Sequence, residues 1–276
     1  NELNGLTLGG VGAGTTIENI EIISNSDDGL ECFGGNVDVT NLLVYNQGDD
    51  AVDIDEAYSG TVSNAVIHLG ASSDNAFEID GREDTTIPVD SSILTSISYT
   101  IDGVTVIGSG GASDGGSQLG HWKNDATGVN KNIVYTNFAN DETIEGIDDD
   151  TYATGANNGT NLTFENVDYV GGNTEANILA YTSAGTDVEW LEVLTSQAPG
   201  TGANGSQFYG WTAYNDLYNT FTAPTPSPPV TQDINITIEK NRPSEITLLG
   251  SDTNFGDVLT YLLTSEPSNG SYSLDN

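Results

Sequence analysis

The sequence is poorest in positive charge. Five Lys and Arg stand against 41 Asp and Glu in 276 residues, a formal net charge of −36. No basic stripe can neutralise phosphates, so nucleic acid is excluded as a direct partner, and so is docking on an anionic membrane surface. The single cysteine, Cys32, excludes an intrachain disulfide in any compartment. No apolar run approaches the roughly 18 residues of a membrane-spanning helix, and no stretch reads as a signal peptide. Methionine is absent and lysine scarce, whereas Asn, Asp, Gly, Ser and Thr abound. That balance suits a secreted bacterial protein in a salty, calcium-containing medium, although an acidic intracellular protein of a halophile would share it. Asn1 follows no initiator Met and Asn276 falls inside a strand-like pattern, so the chain is expected to be part of a longer one.

High charge alone would suggest disorder, but hydrophobic residues make up 36% and many alternate with polar ones at period two. Alternation of that kind points to folded β structure. A repeat explains it. Three segments, Thr16–Ile22, Val39–Val44 and Val62–Ile67, carry Asn19, Asn41 and Asn64 at spacings of 22 and 23 residues. A second block follows each one: Asp27–Phe33, Asp49–Asp55 and Asp74–Asp80. Two strand-like blocks per period with Gly-rich corners describe one turn of a β-solenoid.

The first block returns at Ile101–Val106, Lys131–Tyr135 and Phe164–Tyr169, and the second at Asp141–Glu145. Anchor spacings there of 39, 29 and 34 residues imply loops inserted at the corners. The recurring asparagines (Asn19, Asn41, Asn64, Asn132 and Asn166) predict a ladder of stacked side-chain amides at one bend. Asparagine also tolerates the left-handed backbone such a bend needs.

Asn1–Thr15, Ser26–Gly35 (Ser-Asp-Asp-Gly-Leu-Glu-Cys-Phe-Gly-Gly) and Gly48–Asp55 (Gly-Asp-Asp-Ala-Val-Asp-Ile-Asp) resemble secreted right-handed parallel β-helix proteins of marine Bacteroidetes. That group falls within the pectate-lyase-like superfamily. The resemblance is close over residues 1–83 and thin from about 84 to 190. It implies the fold, an extracellular or cell-surface setting, and further coils before Asn1. It implies no particular activity.

The expected organisation is an all-β chain: a right-handed parallel β-helix over 1–222, a Pro-rich linker over 223–230, and a truncated β-sandwich module over 231–276. Residues 187–222 lose the repeat and are rich in aromatics, which would suit a cover for the open end of the helix. Trp211 and Tyr214 are the candidate sugar-stacking pair there. Pro224–Pro229 reads as a stiff polyproline linker. Beyond it, Ile234–Ile238, Ile246–Leu249 and Val258–Leu263 alternate like antiparallel strands. This stretch resembles half of an immunoglobulin- or cadherin-like repeat of bacterial surface proteins, with further domains of the parent chain as its partners.

Chemistry is expected in the acidic blocks. If Leu30, Cys32, Val52, Ile54, Phe77 and Ile79 point inward, then Glu31, Asp53 and Glu78 stack outward, with Phe33, Asp55 and Asp80 in the next column. Coils lie about 4.8 Å apart. Like charges at that distance repel by roughly 1 kcal/mol in water and about 3 kcal/mol at an effective dielectric of 20. No Lys or Arg occurs before Arg82. Raised carboxylate pKa values, solvation, or bound cations would relieve the repulsion. Asp28, Asp50, Asp53, Asp55, Glu78 and Asp80 are the candidate calcium ligands.

Two function classes follow. One is a calcium-stabilised, secreted or cell-surface protein for adhesion or polysaccharide binding. The other is a calcium-dependent lyase or a glycoside hydrolase acting on acidic glycans, with Arg82, Asp28 and Asp50 as catalytic candidates. The paired aspartates resemble those of polygalacturonases, but the Gly-His-Gly and Arg-Ile-Lys signatures of that family are absent. Lyase chemistry needs a base, for which Arg82, His121, Lys123 and Lys131 are available. Arg82 serves equally well as a counter-ion for the acidic columns, and His68 reads as a packed surface residue.

Overall fold

A computed structural model describes residues 3–81, 98–110, 119–124, 126–138, 146–147, 162–171, 191–194 and 197–223, and parts of 225–273. Its strands form two parallel sheets. Sheet one contains β1 (Leu6–Gly9), β3 (Leu30–Phe33), β5 (Val52–Asp55), β7 (Phe77–Asp80), β9 (His121–Lys123) and β11 (Gly146–Ile147). Sheet two contains β2 (Ile17–Ile23), β4 (Val39–Tyr45), β6 (Thr61–His68) and β8 (Tyr99–Ile107). It continues through β10 (Gly128–Thr136), β12 (Leu162–Val170) and β13 (Leu191–Leu194). Each coil thus gives one strand to each sheet, and successive coils pair in parallel. This is the expected parallel β-helix.

Alternation decides which residues fill it. Leu30, Cys32, Val52, Ile54, Phe77 and Ile79 from sheet one meet Leu42, Val44, Val62, Ala65 and Ile67 from sheet two in one buried core. Trp122 and Tyr135 continue it upward, the indole of Trp122 donating to Tyr99 Oη at 3.0 Å. Each large aliphatic or aromatic side chain buried this way contributes roughly 1.5–3 kcal/mol.

The asparagine ladder is present. Asn19, Asn41, Asn64, Asn132 and Asn166 all have φ between 51° and 58°. Asn41 donates to Asn19 at 2.9 Å, Asn64 to Asn41 at 2.6 Å, and Asn166 to Asn132 at 3.2 Å. Gly103 (φ +71°) holds the ladder position between Asn64 and Asn132, as the flanking pairs Ser63–Asp102 and Asp102–Lys131 require. It keeps the bend and leaves out the amide.

Residues 197–221, expected from their aromatics at the open end, instead run along the side of the helix as a strap over the outward face of sheet two. The strap meets the coils in descending order. Ala198 donates its amide to Asp168 on β12 at 3.1 Å, and Gly202 donates to the carbonyl of Asn132 on β10 at 2.8 Å. Ala203 then donates to Thr105 Oγ1 on β8 at 2.9 Å, and Asn204 to Asn64 Oδ1 on β6 at 2.6 Å. A short helix, α1 (Ala213–Tyr218), follows Thr212 as its N-cap. The Glu21 carboxylate on β2 accepts the first amides of α1, Ala213 and Tyr214, each at 2.9 Å. Underneath, Phe208, Tyr214 and Phe221 bury Leu43 and Val66 in a second core.

Beyond the strap, the described residues show one two-residue antiparallel pair, β14 (Val230–Thr231) with β15 (Gly250–Ser251). Ile234, Ile236, Ile246, Leu248, Tyr261 and Leu262 are exposed.

Candidate functional site

The outward face of sheet one stacks the carboxylates as the alternation predicts. Glu31, Asp53 and Glu78 are in register, and the column continues to His121 on β9. In the neighbouring column Phe33 stands beside Asp55, and Asp80 beside Lys123. The two columns differ along their length: acidic on the early coils, cationic at β9.

Lys123 is the counter-ion that the first 81 residues lack. Its Nζ lies 3.0 Å from Glu78 Oε1 and 3.0 Å from Asp80 Oδ2, and His121 Nδ1 is 3.9 Å from Glu78 Oε1. Asn124 donates a further hydrogen bond to Asp80 Oδ1 at 2.5 Å. Burial alone would lower the Lys123 pKa, but the hydrogen bonds and charges of Glu78 and Asp80 hold it above the ordinary lysine range. A lysine so held does not act as a base near neutral pH. Lys131 is likewise paired, with Asp102 at 3.3 Å. Arg82 lies outside the described residues, as does the block Asp141–Glu145.

Asp28 and Asp50 sit at the corner entering sheet one and form a stack of their own. Asp28 Oδ1 accepts the Asp50 amide at 3.1 Å, and Asp50 Oδ1 accepts the Asn75 amide at 2.7 Å. Both side chains are buried and staple consecutive corners. Burial, opposed by that hydrogen bond and reinforced by the charges of Asp27, Asp49 and Glu31, pushes Asp28 up to about 7. Burial and then the charge of Glu78 push Asp50 up to about 9.

Asp53 lies outward in register yet is only 7% exposed. Burial, followed by the charges of Asp55, Asp28, Glu78 and Asp50, pushes it up to about 9. Glu31 is raised by burial and by Asp27, against a hydrogen bond from Asn4. Oxygen atoms of Asp28, Glu31 and Asp53 all lie within 4.8 Å of one another. Of the expected calcium ligands, the structure brings Asp28 and Asp53 together with Glu31, while Glu78 and Asp80 are engaged by Lys123. Two further groups form at the corner, Asp27–Asp28–Asp49 and Asp49–Asp50–Asp74, each with one buried, one half-buried and one exposed member. Burial pushes the Cys32 thiol up to about 12, which removes it from nucleophilic or metal chemistry.

A family model described as a pectate-lyase-like β-helix domain matches residues 1–215. The chain belongs to this family. Searches of curated proteins and of solved structures found no match. Within the pectate-lyase-like β-helix of this chain, the aromatic pair Trp211 and Tyr214 belongs to the strap. Tyr214 is 2% exposed, with its hydroxyl 2.9 Å from His68 Nδ1, and Trp211 is half-buried, its indole donating to the Gln207 carbonyl at 2.6 Å. His68 packs against Tyr45, Tyr214 and Tyr218, as a surface residue under a cover would.

Phe33 went unremarked as a binding residue in the sequence. It is 39% exposed on the outward face of sheet one, two residues from Glu31 and in register with Asp55. Its partner on the preceding coil is Gly9, where an added Cβ would meet nothing within 4 Å. The ring therefore has open space on that side. Alternation hinted at this, since Phe33 breaks an otherwise acidic column.

Proposed function

We propose that this protein is a secreted or cell-surface β-helix that binds polysaccharide on the outward face of sheet one, with calcium stabilising the fold. One observation carries the reading: an exposed aromatic ring, Phe33, flanked by the acceptors Glu31 and Asp55 beside the open position at Gly9. An aromatic face takes the apolar face of a sugar ring, and carboxylates beside it accept its hydroxyls. The net charge of −36 repels a bare polyanion, so the glycan is neutral and rich in hydroxyls. The acidic, lysine-poor composition supports the extracellular setting. The alternating segments after the Pro-rich linker support an immunoglobulin- or cadherin-like module, joining the helix to further domains of a parent chain.

Cleavage of acidic glycans ranks below binding. Asp28 and Asp50 are stacked and hold the amides of successive corners, and Lys123 is held between two carboxylates. The test is a glycan array probed with the full chain, its Phe33→Ala variant and its Trp211→Ala variant. Binding to a neutral polysaccharide is expected, weakened about tenfold by Phe33→Ala, equivalent to about 1.4 kcal/mol, and unchanged by Trp211→Ala. Equal binding by the Phe33→Ala variant would overturn the assignment of this face. New reducing ends in the same samples would replace binding with cleavage.

A further inference from the structure

The corner that follows each strand of sheet one repeats a left-handed backbone, and one residue there is out of type. Gly10, Gly34 and Asn124 follow β1, β3 and β9 with φ of 63°, 63° and 53°. Glycine stands there again at Gly81, after β7. Glycine and asparagine are the residues that take this conformation readily. Glu56 holds the same place after β5 with φ of 50°, and Ala57 beside it has φ of 60°. Among the described residues no other two consecutive non-glycine residues lie in this region. The coil before turns the same corner with Gly34 and Gly35, at 63° and 83°. The fold thus accounts for the backbone at Glu56 but not for its side chain. Strain of this kind is concentrated where ligands bind.

Glu56 stands next to the Phe33 platform. Phe33 is in register with Asp55, which sets Gly34 beside Glu56. A Cβ on Gly34 would come 3.1 Å from Glu56 O and 4.0 Å from Glu56 Cβ. At Gly10, on the other side of Gly34, an added Cβ would meet nothing within 4 Å. Along Gly10, Gly34 and Glu56, only Glu56 therefore carries a side chain, and it is exposed. No side chain of Gly34 stands between it and the ring.

An ionised carboxylate has two acceptor oxygens and no donor. It takes two adjacent sugar hydroxyls at once and offers nothing to a ring whose hydroxyls are methylated or acylated. Glu31 and Asp55 share that property, so the rim of the platform consists of acceptors. We propose that Glu56 is a sugar-binding residue that makes the Phe33 platform specific for neutral glycans with free adjacent hydroxyls, against their O-methylated or O-acylated forms. This rests on the glycan-binding reading of sheet one and adds to it the groups that are recognised. Glycine at position 56 would suit the corner better and lose the contact, so stability and binding are opposed at this residue.

The test is calorimetric titration of the full chain with laminarin, mannan, xylan and galactan, each intact and O-methylated, paired with thermal melts. At least one intact polymer is expected to bind, and its O-methylated form at least about tenfold more weakly. Glu56→Gly should weaken binding of the intact polymer about fivefold, reduce the penalty of methylation to about twofold, and raise the melting temperature by about 1–4 °C. Loss of binding in a more stable variant cannot come from misfolding. Glu56→Gln keeps one acceptor oxygen and should weaken binding about two- to threefold. Equal binding of intact and methylated polymers would overturn the proposal. So would unchanged binding in Glu56→Gly, or a methylation penalty that stays tenfold in that variant. Binding by none of the four polymers removes the glycan reading and this role together, whereas binding that depends on Phe33 and ignores Glu56 removes this role alone.

Discussion

Asn204 donates its backbone amide to Asn64 Oδ1 at 2.6 Å, standing in for the amide that the ladder omits at Gly103. In the neighbouring coils that acceptor is filled by the asparagine one coil further on. At this coil the strap fills it. The gap in the repeat and the docking of residues 197–221 are therefore one feature, because an asparagine at 103 would occupy the strap's anchor point.

Gly103→Asn tests that coupling. Asparagine tolerates φ near +71°, and a Cβ at this position finds its nearest neighbour, Gly202 O, 3.6 Å away. The new side chain should take over the Asn64 oxygen and leave the Asn204 amide without its acceptor. Hydrogen exchange at Asn204 is expected to speed up at least tenfold, while amides in β4 and β6 keep their protection. Unchanged exchange at Asn204 would show that the strap is anchored elsewhere.

Lys123 neutralises two carboxylates, one of them on the buried Asp80. Lys123→Met keeps the stem and removes the charge, which strands Glu78 and Asp80. Breaking one side of a buried pair costs roughly 3–5 kcal/mol, and the partial exposure of this pair brings the expectation to about 2–4 kcal/mol at pH 7. Urea unfolding should show this loss, and it should shrink in high salt as screening weakens the repulsion between the stranded charges. A loss that stays constant with salt would mean the lysine acts through packing alone.

The cation-free protein should become less stable as pH rises. Asp28, Asp50 and Asp53 have folded-state pKa values pushed up to about 7, 9 and 9, against 3.8 as the ordinary value. A raised folded pKa means that the native state holds its proton more tightly than the unfolded chain does. That contribution is complete below pH 3.8 and is lost as pH climbs through the folded values. Melts in chelator at pH 5, 7 and 9 are expected to fall by roughly 5–10 °C in total. A melting temperature that is flat or rising over this window would contradict the burial of these groups.

The coils were legible because their period imposes itself on every residue type at once. Asn19, Asn41 and Asn64 recur with the bend, and Leu30, Val52 and Phe77 recur with the inward position, so pattern and structure share one cause. Outward carboxylates were legible as to side but not as to depth. Alternation puts Asp53 on the outer surface of its strand, yet its neighbours Glu31, Glu78 and Asp28 close around it, and no periodicity encodes that closure. Lys123 was visible only as a possible base, because the irregular spacing after Asp80 hid its register with that residue. The strap was misplaced for a related reason. Its aromatics announced an apolar partner, but Leu43 and Val66 were indistinguishable from ordinary outward residues until the face they share was known.

The strap meets the coils in the reverse of the order in which they are made. Its first contact is Asp168, the most recently synthesised coil it touches, and its last is Glu21, one of the earliest. On a ribosome the coils can therefore stack one upon another as they emerge, each needing only its predecessor. The outer face of sheet two stays bare throughout, with Leu43 and Val66 waiting about 160 residues for their cover. Maturation then ends with a single backward sweep along a finished wall, so an interrupted chain carries a complete-looking solenoid with a greasy flank that invites chaperones or self-association.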